Sequence, residues 1–217
     1  MIKIGKATIH NMDCMELLKA TPDKFYDLAI IDPPYGIGNK FKGGKTGKMN
    51  FNQVVEKGLD VAPSQEYFNE LSRTSKNQII LSRTSKNQII WGGNYFDLPP
   101  TRCFIVWDKM ISEDFSLAMA ELAWTSFDKL AKIYKLMVPK DGKDHPTQKP
   151  IKLYEWLLTN YAKQGDKILD THCGSGSIAI ACNNLGFELT ACELDKDYYE
   201  ASIKRIKQAA AQERLFS

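Results

Sequence analysis

The run Leu28 to Ile31 is apolar without interruption, and Asp32, Pro33, Pro34 and Tyr35 close it at once. An apolar run of this length is what a strand buried on both faces requires, as in a sheet with helices on either side. Pro33 and Pro34 have fixed φ and no N–H, so regular ladder pairing cannot continue through them. The result is a stiff turn at the carboxyl end of a buried strand, where open α/β sheets place ligands. It offers a carboxylate, two carbonyl acceptors and an aromatic face. That set suits a flat molecule bearing an exocyclic amine: the carboxylate and a carbonyl accept its two N–H protons while Tyr35 stacks on its face. An ordinary proline-rich turn reads the same locally, so the meaning of Asp32 depends on partners far along the chain.

Composition narrows the alternatives. With 217 residues, 43% of them apolar and 25% charged, the chain reads as one globular domain with a substantial core. A net charge of +3 does not by itself announce a nucleic-acid binder. The five cysteines include no CxxC pair, and their odd number argues against a disulfide framework. Three histidines far apart in sequence give no zinc pattern, so no metal is expected. The amino terminus lacks a signal-peptide core and no stretch has membrane-spanning length. These features predict a reduced, cytoplasmic protein with no membrane partner.

Along the chain, Lys6 to His10 reads as a strand, and Asp13 stands at the N-cap position of a helix over 14–19. That carboxylate is equally suited to capping and to touching a ligand at the sheet edge. After the Asp32 turn, residues 36–52 are rich in glycine and lysine and contain no acid. Gly44-Lys45-Thr46 looks like a phosphate loop, but the spacing puts Asn39 where its first glycine belongs, so that reading is rejected. A mobile basic lid able to grip a phosphate backbone fits the position better than a bare solvated loop.

Residues 71–80 and 81–90 are identical, LSRTSKNQII twice in tandem. One extra copy is not solenoid periodicity. A helix over 64–74 leading to a strand over 87–91 needs one copy, so the other is expected to extend the helix or loop out. Trp91-Gly92-Gly93 ends that strand, Pro99-Pro100 breaks the chain again, and Cys103 to Trp107 reads as another buried strand. Residues 110–144 suggest short antiparallel strands or irregular structure. Then come helices over 151–161, 177–185 and 195–210 and strands over 167–170 and 188–192.

Strand, glycine-rich turn, helix, strand and acid make up the second site. Asp170 ends one strand, Gly174 and Gly176 let backbone approach a ligand, and Glu193 ends the next strand as an acceptor for ribose hydroxyls. Glu193 lies 17 residues beyond Gly176, near the ~20 typical of such sites. Position 179 is alanine, so the full GxGxxG is absent and a mononucleoside cofactor is favoured over a dinucleotide.

With Asp32-Pro-Pro-Tyr35 early, His145-Pro-Thr-Gln-Lys-Pro150 in the middle, and Asp170 to Ser177 with Glu193 late, the chain resembles the S-adenosylmethionine-dependent amino-methyltransferases of DNA in their β arrangement. Gly92 to Phe96 and Trp107 to Lys109 are similar to intervening family segments. Five motifs in this order cover most of the chain. The resemblance implies an α/β, doubly wound Rossmann-like sheet of seven strands, mostly parallel with one antiparallel edge strand, in circularly permuted motif order. It divides the chain into a catalytic half (1–109), a short target-recognition insert (110–144) and a cofactor half (145–217).

The resemblance also implies residue roles. A base of double-stranded DNA is flipped into the Asp32 turn, where Asp32 and the Pro33 carbonyl accept from the amine, Pro34 stiffens the turn and Tyr35 stacks on the base. Asp13, His145, Thr147, Lys149, Asp170, His172, Gly174, Ser175, Gly176, Ser177 and Glu193 are the implied S-adenosylmethionine residues. Aspartate at the turn points to N6 of adenine, whereas serine often opens it in N4-cytosine enzymes, the nearest alternative. A non-catalytic nucleic-acid-binding subunit retaining the fold is the alternative of another class. A homodimer and a cognate restriction endonuclease are the further partners the family allows. The chain departs from the family in having His172 where phenylalanine is usual, and its 110–144 stretch is short.

Overall fold

The computed structural model describes residues 1–37, 58–71, 85–113, 118–137 and 148–216. The proposed lid (mostly within 38–57), residues 72–84 of the repeat, and His145 and Thr147 lie outside the described residues.

The apolar run folds as expected. Strand β3 (Tyr26–Ile31) is buried along most of its length, and its alternating side chains feed two cores. Leu28 and Ile30 pack with helices α3 (Ile151–Tyr161), α4 (Ser177–Leu185) and α5 (Lys196–Phe216) on one face. Ala29 and Ile31 pack with α1 (Cys14–Ala20) and α2 (Gln65–Leu71) on the other. A strand covered on both faces has no solvent side, hence its uninterrupted hydrophobicity.

Among the described residues, one nine-stranded sheet holds these layers. Its remaining strands are β1 (Ile2–Ile4), β2 (Ala7–Asn11), β4 (Ser85–Trp91), β5 (Phe104–Asp108), β6 (Ala120–Thr125), β7 (Lys132–Lys135), β8 (Lys167–Asp170) and β9 (Glu188–Glu193), in the order β1-β2-β9-β8-β3-β4-β6-β5-β7. Strands β2, β9, β8, β3 and β4 run parallel. The expected antiparallel edge strand is present as β1. A second reversed strand, β6, lies inside the sheet between β4 and β5, and β7 adds a parallel edge. The sheet therefore exceeds the seven strands implied by the resemblance.

Within the repeat, the second copy supplies the strand. Ser85 to Ile90 pair in register with β3, from Tyr26↔Ser85 to Ile31↔Ile90. Leu71 of the first copy ends α2 fully buried, and its carbonyl accepts from the Gln88 side chain at 2.8 Å. Two glycines after β4 then let neighbours come close. Gly92 has φ +66°, and a side chain there would overlap the Tyr35 ring; one at Gly93 would overlap Trp124. Larger residues at either position would push Tyr35 or β6 away from the site.

The topology fixes where chemistry can occur. From β8 the chain proceeds through α4 to β9 on one side, and from β3 through α2 to β4 on the other. The adjacent carboxyl ends of β8 and β3 form the switch point at which open α/β sheets bind ligands. Asp170 ends β8 and Asp32 follows β3, so the sheet brings the two sequence sites side by side.

Candidate active site

Asp32 is held from two sides. One carboxylate oxygen accepts from the Tyr35 hydroxyl at 2.8 Å, and the other lies 2.5 Å from the Lys149 ammonium. Burial pushes the Asp32 carboxyl above the ordinary range, with Lys149 acting against that shift. Burial beside Asp32 also raises the Tyr35 phenol well above its usual range, so it stays a donor. The Tyr35 ring stacks on Tyr95, centroids 5.1 Å apart, with Phe96 edge-on. Pro33 is buried behind the turn and Pro34 is half-buried.

Lys149, expected among the cofactor residues, places its ammonium in the Asp32 turn. The group is buried, bridges Asp32 and Glu121 (3.1 Å), and lies 5.2 Å from the centre of the Trp91 ring. Burial opposes its charge, but the two carboxylates prevail and raise its pKa. Glu121 also pairs with Lys109 at 2.6 Å. Although burial opposes its charge, the two ammoniums lower the Glu121 carboxyl to about 2. Two acids and two bases thus form a nearly neutral, largely enclosed chain, Asp32, Lys149, Glu121 and Lys109, with Lys149 the most deeply buried.

Glu121 escaped the motif reading because it lies on β6, inside the stretch expected to be a target-recognition insert. The available signal was its alternation with Ala123 and Thr125, both fully buried, which puts a carboxylate on an inward face.

The second cluster surrounds the turn after β8. Glu193 accepts from the Gly174 N–H at 2.8 Å through one oxygen and from the Asp195 N–H at 3.0 Å through the other. Asp170 accepts from the His172 N–H at 3.0 Å. Burial raises Glu193, and with nearby Asp32 and Glu193 it raises Asp170 to about 8. Buried Asp170 and half-buried Glu193 are acceptors with raised pKa values, a setting that favours a cation-bearing ligand. Asp13 caps α1 by accepting from the Met15 N–H at 2.8 Å, and its exposed carboxylate follows β2 beside β9. Burial lowers the His172 imidazole to about 4, so it is neutral near pH 7.

The glycines of this turn divide their work. Gly174 has φ +50° and open space at its Cα, the nearest atom to an added side chain being 3.9 Å away. This suits close approach of a ligand. Gly176, expected to serve the same purpose, instead admits Ile206 of α5: an added Cβ would lie 2.8 Å from its Cδ1. Its role is packing of α5 against the start of α4. Arg205 of α5 ties the loop down, donating to the Ser175 carbonyl at 2.8 Å and to the Ser177 hydroxyl at 3.0 Å. A pattern reading of the loop does not reveal Arg205, which reaches it from a separate helix.

Comparison with known proteins agrees with this layout. A family model described as DNA methylase matches residues 61–204. The type II methyltransferase M.HpaI of Haemophilus parainfluenzae is 36% identical over 67 residues, 31% of this chain and 21% of that protein. The matched part is thus about a fifth of that relative's length. Among solved structures, the M1.HpyAVI–SAM complex aligns with TM-score 0.58 at 20% identity, covering 92% of this chain and 99% of that one. The cytosine-N4-specific PvuII DNA methyltransferase aligns with TM-score 0.61 at 12% identity, covering 95% and 92%. Likeness at these identities establishes the fold.

The electrostatics of the two clusters predict two outcomes. Lys149→Met leaves Asp32 and Glu121 buried without their shared cation, and urea unfolding should show a loss of about 3–5 kcal/mol. A loss below about 1 kcal/mol would match an exposed pair instead. Asp170 holds a proton in the fold that the unfolded chain releases near pH ~4. Its stabilising contribution is complete below that pH and is lost as pH rises through about 8. Asp170→Asn should therefore gain stability relative to wild type between pH 5 and pH 8, by at most about 1.4 kcal/mol per pH unit. Equal differences at both pH values would contradict the shift.

Proposed function

The chain belongs to the DNA methylase family, and from that premise we propose that it transfers a methyl group from S-adenosylmethionine to the exocyclic N6 of adenine in duplex DNA. The observation that carries this reading is the buried Asp32 carboxylate, fixed by Lys149 and Tyr35 at the end of β3, beside the acidic cradle at the end of β8. Cofactor and target amine would then meet at the switch point.

Asp170, the Gly174 turn and Glu193 would hold S-adenosylmethionine, with Asp13 and His172 at its flank. When bound, it supplies an electrophilic methyl group on a sulfonium. The M1.HpyAVI and PvuII enzymes share this fold, and the first was solved with SAM.

The remaining work belongs to the turn. An exocyclic amine of adenine is a weak nucleophile because its lone pair is delocalised into the ring. Acceptors at Asp32 and the Pro33 carbonyl favour a pyramidal nitrogen whose lone pair points away from the ring plane. Each Asp32 oxygen has a lone pair left after its bond to Tyr35 or Lys149. Lys149 offsets the burial that would protonate the carboxylate. The Tyr35–Tyr95 stack offers an aromatic platform for the base. No covalent enzyme intermediate is needed; positioning and charge complementarity suffice.

A second reading, transfer to N4 of cytosine, uses the same acceptors and draws support from the PvuII likeness. Aspartate at position 32 favours adenine. The test of the catalytic role is Asp32→Asn, which keeps the shape and removes the charge. Calorimetry should show cofactor binding unchanged, while transfer to duplex DNA falls at least about 10²-fold. Retained turnover would refute the role of Asp32.

A further inference from the structure

Tyr67, which belongs to none of the motifs, forms a hydrogen-bonded chain with Thr171 and His172 of the turn after β8. The Tyr67 hydroxyl, on α2, lies 2.6 Å from Thr171 Oγ1, and Thr171 Oγ1 lies 2.9 Å from His172 Nδ1. Tyr67 and Thr171 are each 3% exposed. The Tyr67 ring also meets the imidazole edge-on, centroids 5.7 Å apart, which limits its rotation.

Counting protons decides the direction of the chain. Tyr67 has one hydroxyl proton, and Thr171 is the hydroxyl's hydrogen-bond partner among the described residues. If His172 Nδ1 carried a proton, three protons would share the two contacts, and either the buried phenol proton or the Thr171 hydroxyl proton would have no acceptor among the described residues. An orphaned buried donor costs about 1–3 kcal/mol. In the opposite direction every proton is used: Tyr67 donates to Thr171, and Thr171 donates to His172 Nδ1. The neutral imidazole then carries its proton on Nε2, which has no partner among the described residues.

We infer that Tyr67 and Thr171 are positioning residues that lock His172 as the Nε2–H tautomer, and that this N–H is a directed donor to an acceptor atom of the nucleoside cofactor. The inference rests on the proposed cofactor reading of the cradle. His172 lies between the Thr171 hydroxyl and the Gly174 turn, and its backbone N–H already orients Asp170. One residue thus links the buried acid of the cradle to α2 on the far side of the sheet. An aromatic hydrocarbon at position 172 would fill similar space without supplying a donor.

Long-range proton–nitrogen NMR on ¹⁵N-labelled, ligand-free protein reads the tautomer directly, with the His172→Phe spectrum assigning the signal. The expected result is a neutral ring protonated on Nε2 in wild type and a mixture of tautomers in both Tyr67→Phe and Thr171→Val. A Nδ1-protonated or mixed ring in wild type would overturn the inference, as would an unchanged tautomer in both variants. Calorimetry with S-adenosylhomocysteine reads the donor. His172→Phe should weaken binding about tenfold, one hydrogen bond's worth. Tyr67→Phe should weaken binding less, and should add nothing in the His172→Phe background. Equal affinity of wild type and His172→Phe would overturn the donor role. If wild type fails to bind S-adenosylhomocysteine, the cofactor reading falls and the donor role with it, a failure distinct from a wrong tautomer.

Discussion

A buried carboxylate must find a cation, and in this protein that requirement joins three distant parts of the chain. Asp32 follows β3, Lys149 precedes α3 and Glu121 lies on β6, yet their charged groups are within 2.5–3.1 Å of one another along the chain of ion pairs. Without Lys149, burial would push the Asp32 carboxyl further towards its protonated form, which is a weaker acceptor than the carboxylate. Lys149 offsets the burial, while Glu121 and Lys109 keep Lys149 from standing as an excess charge. The arrangement costs desolvation, and what it gains is a fixed acceptor at a strand end.

The parallel sheet supplies the other half of the arrangement. Asp32 and Asp170 are adjacent because β3 and β8 pair, although 138 positions separate them in sequence. Both are raised by burial, and Asp32 adds to the rise of Asp170. A cationic group between them would relieve both, as the sulfonium of the proposed cofactor would. The same ends of the sheet carry Glu193 and the Gly174 turn, so one edge of the sheet presents acceptors, an open backbone and an aromatic stack together.

Much of this was legible where local chemistry is strong. The β3 run announced burial on two faces, Pro33 and Pro34 announced the turn, and the strand–glycine–helix pattern after Asp170 placed α4 to its boundaries. The short edge strand β1 was not read, since three residues carry little periodicity, and the strands within 110–144 were expected only as short antiparallel strands or irregular structure, whereas β7 pairs parallel. Contacts across the sheet left no local trace: the Lys149 motif suggested the cofactor, while its ammonium reaches Asp32. Gly176 looked like its neighbour Gly174, and only the packing of Ile206 separates their roles. The tandem repeat sharpens the point. Its two copies have identical propensities, and the one that forms β4 is the one followed by Trp91, Gly92 and Gly93, which fit against Lys149, Tyr35 and Trp124. Tertiary fit decided what propensity could not.

In the proposed reaction the Asp32 turn receives an adenine amine from duplex DNA beside a bound methyl donor. The most direct measurement follows isotopic label from S-adenosylmethionine into unmethylated duplex DNA, with digestion to nucleosides and mass analysis of the labelled product. Label is expected in N6-methyladenine. Cofactor binding without any label in DNA, or label confined to N4-methylcytosine, would contradict that reaction.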